Sequence, residues 1–158
     1  MVKLIWLIIA LFASVAGTTV VYHKTQQADI NYYEGHRLYE KGKYSEAVSF
    51  YKRSLFIKPN SLNALKELAY CYQWTGNQPE AIKTFREIIL IHPQDYSIKK
   101  SMAETLSWQK QYAEAIALYE EIIAQTADSD AQIKLAQVYI WDNQPKKARA
   151  ILENVLKD

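Results

Sequence analysis

The stretch that decides the fold is ALKELAYCYQWTGNQPEAIKTFREIILIHP, Ala64 to Pro93. Its landmarks are Ala64, Leu68, Ala69, Tyr72, Gly76, Ala81, Phe85, Ile88 and Pro93. They recur along the chain. Gly42 precedes Gly76 by 34 residues, and Ala47, Ala81 and Ala115 are spaced by 34, as are Tyr51, Phe85 and Tyr119. Pro59 and Pro93, and Trp74 and Trp108, keep the same interval. The next interval is 33, from Ala115 to Ala148, Tyr119 to Leu152 and Trp108 to Trp141. One residue is missing near Thr126 to Ser129, where a loop can absorb it. A fixed period of this length marks a repeat architecture, in which one unit cannot bury its own apolar face and neighbours must stack on it.

The period and its alternation of small and large apolar places resemble the tetratricopeptide repeat. The resemblance covers nearly all of the chain beyond its N-terminal segment. It implies an all-α, helical-hairpin solenoid of about four repeats, each a pair of antiparallel helices joined by a tight turn. The units run Ala28–Ser61, Leu62–Asp95, Tyr96–Asp128 and Ser129–Asp158. In each, a small residue at the eighth place (Gly35, Ala69, Ala103, Ala136) lets two helices approach. Ala47, Ala81, Ala115 and Ala148 do the same from the second helix, and Tyr51, Phe85, Tyr119 and Leu152 fill the space between.

Gly42 and Gly76 suit the left-handed conformation that ends a helix. Lys110 and Asn143 stand in that place later, Asn tolerating it and Lys at some cost. Second helices begin near Pro79 and Pro145, where the missing N–H has no partner to lose. Pro59 and Pro93 stop the helices before them. Ser129-Asp130-Ala131-Gln132 reads as a capping box opening the last unit. Arg149 replaces the apolar residues Val48, Ile82 and Ile116, and Asp158 follows Ile57, Ile91 and Gln125 at another repeat place. Both polar changes are expected where a terminal unit exposes a solvated outer face.

Before the repeats lies LIWLIIALFASVAGTTVVY, Leu4 to Tyr22, with no charged residue. As a helix these 19 residues span about 28 Å, close to a bilayer's hydrocarbon thickness. Trp6 and Tyr22 stand near the ends, where amphipathic rings favour the interface. A signal peptide would use Lys3, the run Leu4 to Phe12 and cleavage at Ser14-Val15-Ala16. The apolar run continues through Val20-Val21-Tyr22, beyond a normal signal core, which favours one uncleaved transmembrane helix over residues 1–23. Residues 24–27 then form a short linker, without Pro or Gly, to a repeat domain over 28–158. Ala13 and Gly17 form a small-x3-small pair that would admit a partner helix closely. The signal-like start favours a single-pass protein of the bacterial inner membrane with its repeats on the periplasmic side.

Composition narrows function. Net charge is +2, with basic and acidic residues mixed, and no basic stripe marks a nucleic-acid binder. Cys71 is the single cysteine, so neither an internal disulfide nor a multi-cysteine metal site is available. His23, His36 and His92 fit no ligand spacing, and no phosphate loop or nucleophile motif is present. No catalysis, cofactor or metal is expected. Ser97 and Lys100 fit a Ser-x2-Lys pattern without supporting motifs, and Cys71 reads as a small packed residue.

The resemblance implies that first helices line a concave groove. Its protein-binding candidates here are Tyr32, His36 and Tyr39; Lys66, Tyr70, Gln73 and Trp74; Lys100, Glu104 and Trp108; and Gln137 and Trp141. The three tryptophans share one repeat place and are expected to form a ladder. Such rings anchor peptides well and also stack on sugars. Chaperone-binding relatives clamp a peptide's terminal carboxylate with Lys and Asn. Lys66 and Lys100 keep the Lys place, but Tyr70 and Glu104 occupy the Asn place, which disfavours that ligand. The expected function is a membrane-tethered interaction scaffold that docks on, or assists assembly of, a membrane protein complex. The alternative is a carbohydrate-contacting part of an envelope polysaccharide machine, suggested by the tryptophans and the run Leu106-Ser107-Trp108.

Overall fold

The computed structural model describes the backbone of residues 2–156 and the side chains of residues 14–156. Among the described residues there are eight helices and no strand: α1 (Val2–Glu40), α2 (Tyr44–Ile57), α3 (Leu62–Trp74), α4 (Gln78–Ile91), α5 (Tyr96–Trp108), α6 (Tyr112–Thr126), α7 (Ser129–Trp141) and α8 (Pro145–Val155). They fall into two compact units, Met1–Ala64 and Leu65–Asp158.

Every tight turn inside a hairpin is built the same way. Gly42, Gly76, Lys110 and Asn143 all take positive φ, between 57° and 78°. In each, the next residue's amide reaches back to close the helix: Lys43 N–H to Leu38 O, Asn77 to Tyr72, Gln111 to Leu106 and Gln144 to Tyr139. This is the Schellman closure, and it satisfies carbonyls that a helix end otherwise leaves bare. Pro79 and Pro145 lie in the first turn of α4 and α8. Lys58 and His92, each just before a proline, have left the helical region, as the proline ring requires.

The connection between α6 and α7 carries the shortened period. α6 is one residue longer than α4, and only Ala127 and Asp128 follow it. Ala127 turns the chain in the left-handed region, with φ of 48°. The cap of α7 is Asp128, not Ser129. The Asp128 carboxylate accepts from the Ala131 amide at 3.1 Å. Asp95 does the same for α5, accepting from Ile98 N–H. The capping box expected at Ser129 is therefore not formed: the cap lies one residue earlier, and the residue at its third helical position is Ala131, which has no side-chain acceptor to reach back.

The small-residue places behave as close-packing points. Ala69, Ala103, Ala136, Ala47, Ala81 and Ala115 are completely buried, and Tyr51 and Phe85 beside them are too. Gly35 lies against the Tyr51 ring so tightly that an added Cβ would stand 2.8 Å from Cε1. Leu152 is only half-buried and Arg149 is exposed. Ile91, expected to pack, is exposed as well.

In the first unit α1 and α2 form an antiparallel pair. Helix α1 continues without a break through residues 24–27, so the stretch read as a linker is helical. Among the described residues no helix is long and apolar enough to cross a membrane. The side chains of residues 1–13, which include most of the expected anchor and Ala13 of the small-residue pair, lie outside the described residues, as does Asp158.

Candidate functional site

First helices α5 and α7 of successive repeats lie beside one another, joined from outside by α6. Between them opens a cavity of about 180 Å3. Trp108 and Trp141, at the same repeat place, form part of its lining with Glu104 and Gln137. Ser107, Tyr119, Val138 and Lys134 complete it. Trp108 and Trp141 are 51% and 47% exposed, so each ring presents about half of itself to solvent. The cavity is mostly apolar, with an ion pair between Lys134 Nζ and Glu104 Oε1. Burial, aided by the charges of Glu104 and Asp130, raises the Tyr119 phenol above its ordinary pKa. The cavity thus combines half-exposed aromatic surface with one charge pair, and the Tyr119 phenol is buried in its wall.

Four of the expected groove residues, Glu104, Trp108, Gln137 and Trp141, are brought together here. Ile133 and Ile140 of α7 are also exposed. Trp74, 62% exposed, keeps the same place on α3 but lies outside this cavity's lining.

The lysines are committed elsewhere. Lys66 Nζ lies 2.6 Å from Asp95 Oδ2, and Lys100 Nζ lies 2.8 Å from Asp128 Oδ2 and 3.0 Å from Asp130 Oδ2. Each lysine thereby holds the capping aspartate of the next first helix. Burial works against ionisation of Asp95, but hydrogen bonds from Lys66, Ser97 and the Ile98 amide outweigh it and keep its pKa below the ordinary value. The Lys100 hydrogen bond, followed by the Ala131 amide, lowers that of Asp128. The same bond to Asp128 raises that of Lys100. A peptide carboxylate would have to displace these internal partners, so both lysines serve the stack.

Gln73 is also spent internally. It is 8% exposed, and its Nε2 donates to Thr105 Oγ1 on α5 at 3.1 Å. The expectation that it faces a ligand does not survive that burial. Tyr70 is half-buried, its ring edge-on to Phe85 at 5.8 Å, with the Ser101 hydroxyl donating to its oxygen at 3.4 Å.

In the first unit, Tyr32 stacks on His36 with ring centroids 6.0 Å apart, and His36 Nε2 lies 3.5 Å from Glu40 Oε1. Tyr39 meets Tyr44 edge-on at 5.3 Å. All three candidates on α1 are half-buried. Cys71 is buried, and its thiol is pushed up to about 12 by that burial and by the Glu67 charge.

Sequence reading missed Lys134 and the two capping aspartates. Asp95 and Asp128 stand 33 residues apart, which the repeat period already contained. Nothing in the local pattern pointed to Lys134, whose partner Glu104 is 30 residues away in sequence.

The family model described as tetratricopeptide repeat matches residues 38–104 and 108–158, so the chain belongs to the tetratricopeptide repeat family. No curated protein matches the sequence. Among solved structures, MamA residues 41 to the end from Desulfovibrio magneticus RS-1 superimposes with a TM-score of 0.76 at 15% identity, covering 82% of this chain and 74% of that one. Another MamA crystal structure gives 0.76 at 22% identity over 84% of this chain and 73% of that one. A Podosopora anserina kinesin light chain with nearly identical TPR-like repeats gives 0.69 at 22% identity, over 85% and 75%. At these identities the likeness is one of fold.

Proposed function

We propose that this protein is a non-catalytic interaction scaffold, held at a membrane by Leu4–Tyr22, that docks on or helps assemble a membrane protein complex. The supporting observation is the cavity between α5 and α7, where Trp108 and Trp141 remain half-exposed. Large apolar rings left open at a concave site lose little entropy and bury much area when a partner covers them, which makes them binding anchors. The ion pair of Glu104 and Lys134 adds a polar feature that a partner must match. For the anchor, the support is the uncharged run Leu4–Tyr22 and the unbroken helix that carries it to the repeats. We place the repeats on the periplasmic side of a bacterial inner membrane, from the single Lys3 before the apolar run.

The test is affinity capture of the full chain from mild detergent, beside a variant carrying Trp108→Ala and Trp141→Ala. A stable partner should come down with the parent chain and be lost from the variant. Repeated recovery of the parent chain alone would count against the scaffold.

A second reading gives the tryptophans a carbohydrate to stack on, as in an envelope polysaccharide machine. Half-exposed indoles flanked by Gln137 and Glu104 support it. Oligosaccharide titration followed by tryptophan fluorescence would separate the two, since unchanged emission at about millimolar ligand, a binding energy near 4 kcal/mol, removes this reading.

A further inference from the structure

In the first unit, α2 runs back along α1, so its last turn lies level with residues 23–27 of α1. There His23, Lys24, Gln27, Phe56 and Ile57 line one open groove. Phe56 is 89% exposed on a helix whose other face is packed. The surroundings are basic. Between Tyr22 and Tyr33, and between Ser49 and Ser61, the sequence holds Lys24, Lys52, Arg53 and Lys58 against one carboxylate, Asp29. Asp29 is already matched, its Oδ1 lying 2.6 Å from Lys58 Nζ. Lys52 and Arg53 flank Phe56 in an adjoining groove, and the Arg53 guanidinium also lies over the Phe50 ring at 5.3 Å.

The position along α1 gives this patch its meaning. The apolar run ends at Tyr22, and α1 is continuous to Glu40. Gln27 is therefore only about 8 Å further along the axis than Tyr22, at about 1.5 Å per residue. That distance reaches the outer edge of the headgroup layer, which is about 5–7.5 Å deep on each side of the hydrocarbon. An apolar ring with cations around it at that height is the chemistry of an interfacial contact with anionic lipid.

We infer that the membrane-proximal end of α2 rests on an anionic lipid surface, Phe56 seated in the interfacial layer and Lys24, Lys52 and Arg53 facing headgroups. This rests on the membrane-anchor reading of Leu4–Tyr22. The contact gives the helix pair a second point of attachment and restricts how the α1–α2 hairpin tilts on the membrane.

The test uses the full chain reconstituted in vesicles of phosphatidylcholine and phosphatidylglycerol. Fluorescent labels go on Phe56→Cys and, separately, on Lys43→Cys, about 20 Å away at the other end of α2. Both parent side chains are exposed, so folding tolerates the changes, and buried Cys71 stays unlabelled. The label at 56 should be quenched severalfold more by headgroup nitroxide lipid than the label at 43. Adding Lys24→Glu, Lys52→Glu and Arg53→Glu should reduce that quenching. Equal quenching at 56 and 43, in a chain that resists carbonate extraction, overturns the inference and leaves the anchor standing. Unchanged quenching in the charge-reversed variant overturns the role of the three cations. Release of the chain by carbonate overturns the anchor itself.

Discussion

Lys100 holds Asp128 across the joint between the third and fourth repeats, Nζ to Oδ2 at 2.8 Å, while Asp128 caps α7. The folded pKa of Asp128 is lowered from 3.8, so its contribution is complete above that value and disappears as pH falls through the lower folded one. Lys100 is raised from 10.5, so its contribution is complete below that value and is lost as pH rises past the higher folded one. Stability from this pair is therefore level between these limits and falls outside them. Asp128→Asn keeps a good cap acceptor and removes the charge. It should cost about 0.5–1 kcal/mol at neutral pH and flatten the acid limb, as read from urea midpoints of the full chain in mild detergent between pH 3 and 7.

Gly35 faces a fully buried ring. A Cβ there would approach Tyr51 Cε1 at 2.8 Å and Cδ1 at 2.9 Å, and the ring has no exposed side to move into. Gly35→Ala should destabilise by about 1–3 kcal/mol despite better helix propensity. A paired change to Tyr51→Leu should recover part of the loss, which thermal melts would show.

Lys110 sits at φ 60° in the turn where the first two hairpins use glycine. A side chain in that region costs free energy that glycine avoids. Lys110→Gly should stabilise by about 0.5–1 kcal/mol after the entropy of the more flexible unfolded chain is subtracted. Asn143→Gly should gain less, because asparagine tolerates the region better. Denaturant midpoints of both variants check the order.

Cys71 should be inert in the folded chain. With the thiol near 12 and buried, almost no thiolate exists at pH 8. Alkylation by iodoacetamide should be at least ~100-fold slower in the native chain than in urea. Rapid native labelling would show that α3 opens readily.

The repeat period carried most of the fold. It placed all four left-handed turn residues, including Lys110 and Asn143, because backbone conformation there depends on neighbours close in sequence. It also located the close contacts at Gly35 and the alanines. Gln73 and Ile91 escaped it. Gln73 is buried because Thr105, on the next first helix, offers its amide an acceptor, and no local pattern contains that fact. The lysine bridges to Asp95 and Asp128 join residues 28 or 29 places apart through the ends of long side chains, which a helical period does not register. Of the residues that line the cavity, Trp108 and Trp141 were legible as a repeated pair, while Lys134 was not.

The central claim is that the cavity between α5 and α7 meets a partner. The direct measurement places a photo-crosslinking amino acid at Gln137, inside the cavity, and at Glu87, exposed on α4. Illumination of intact membranes should give a discrete protein adduct from position 137 that is absent from position 87 and disappears with Trp141→Ala. No adduct from 137, or the same adduct from both positions, would contradict it.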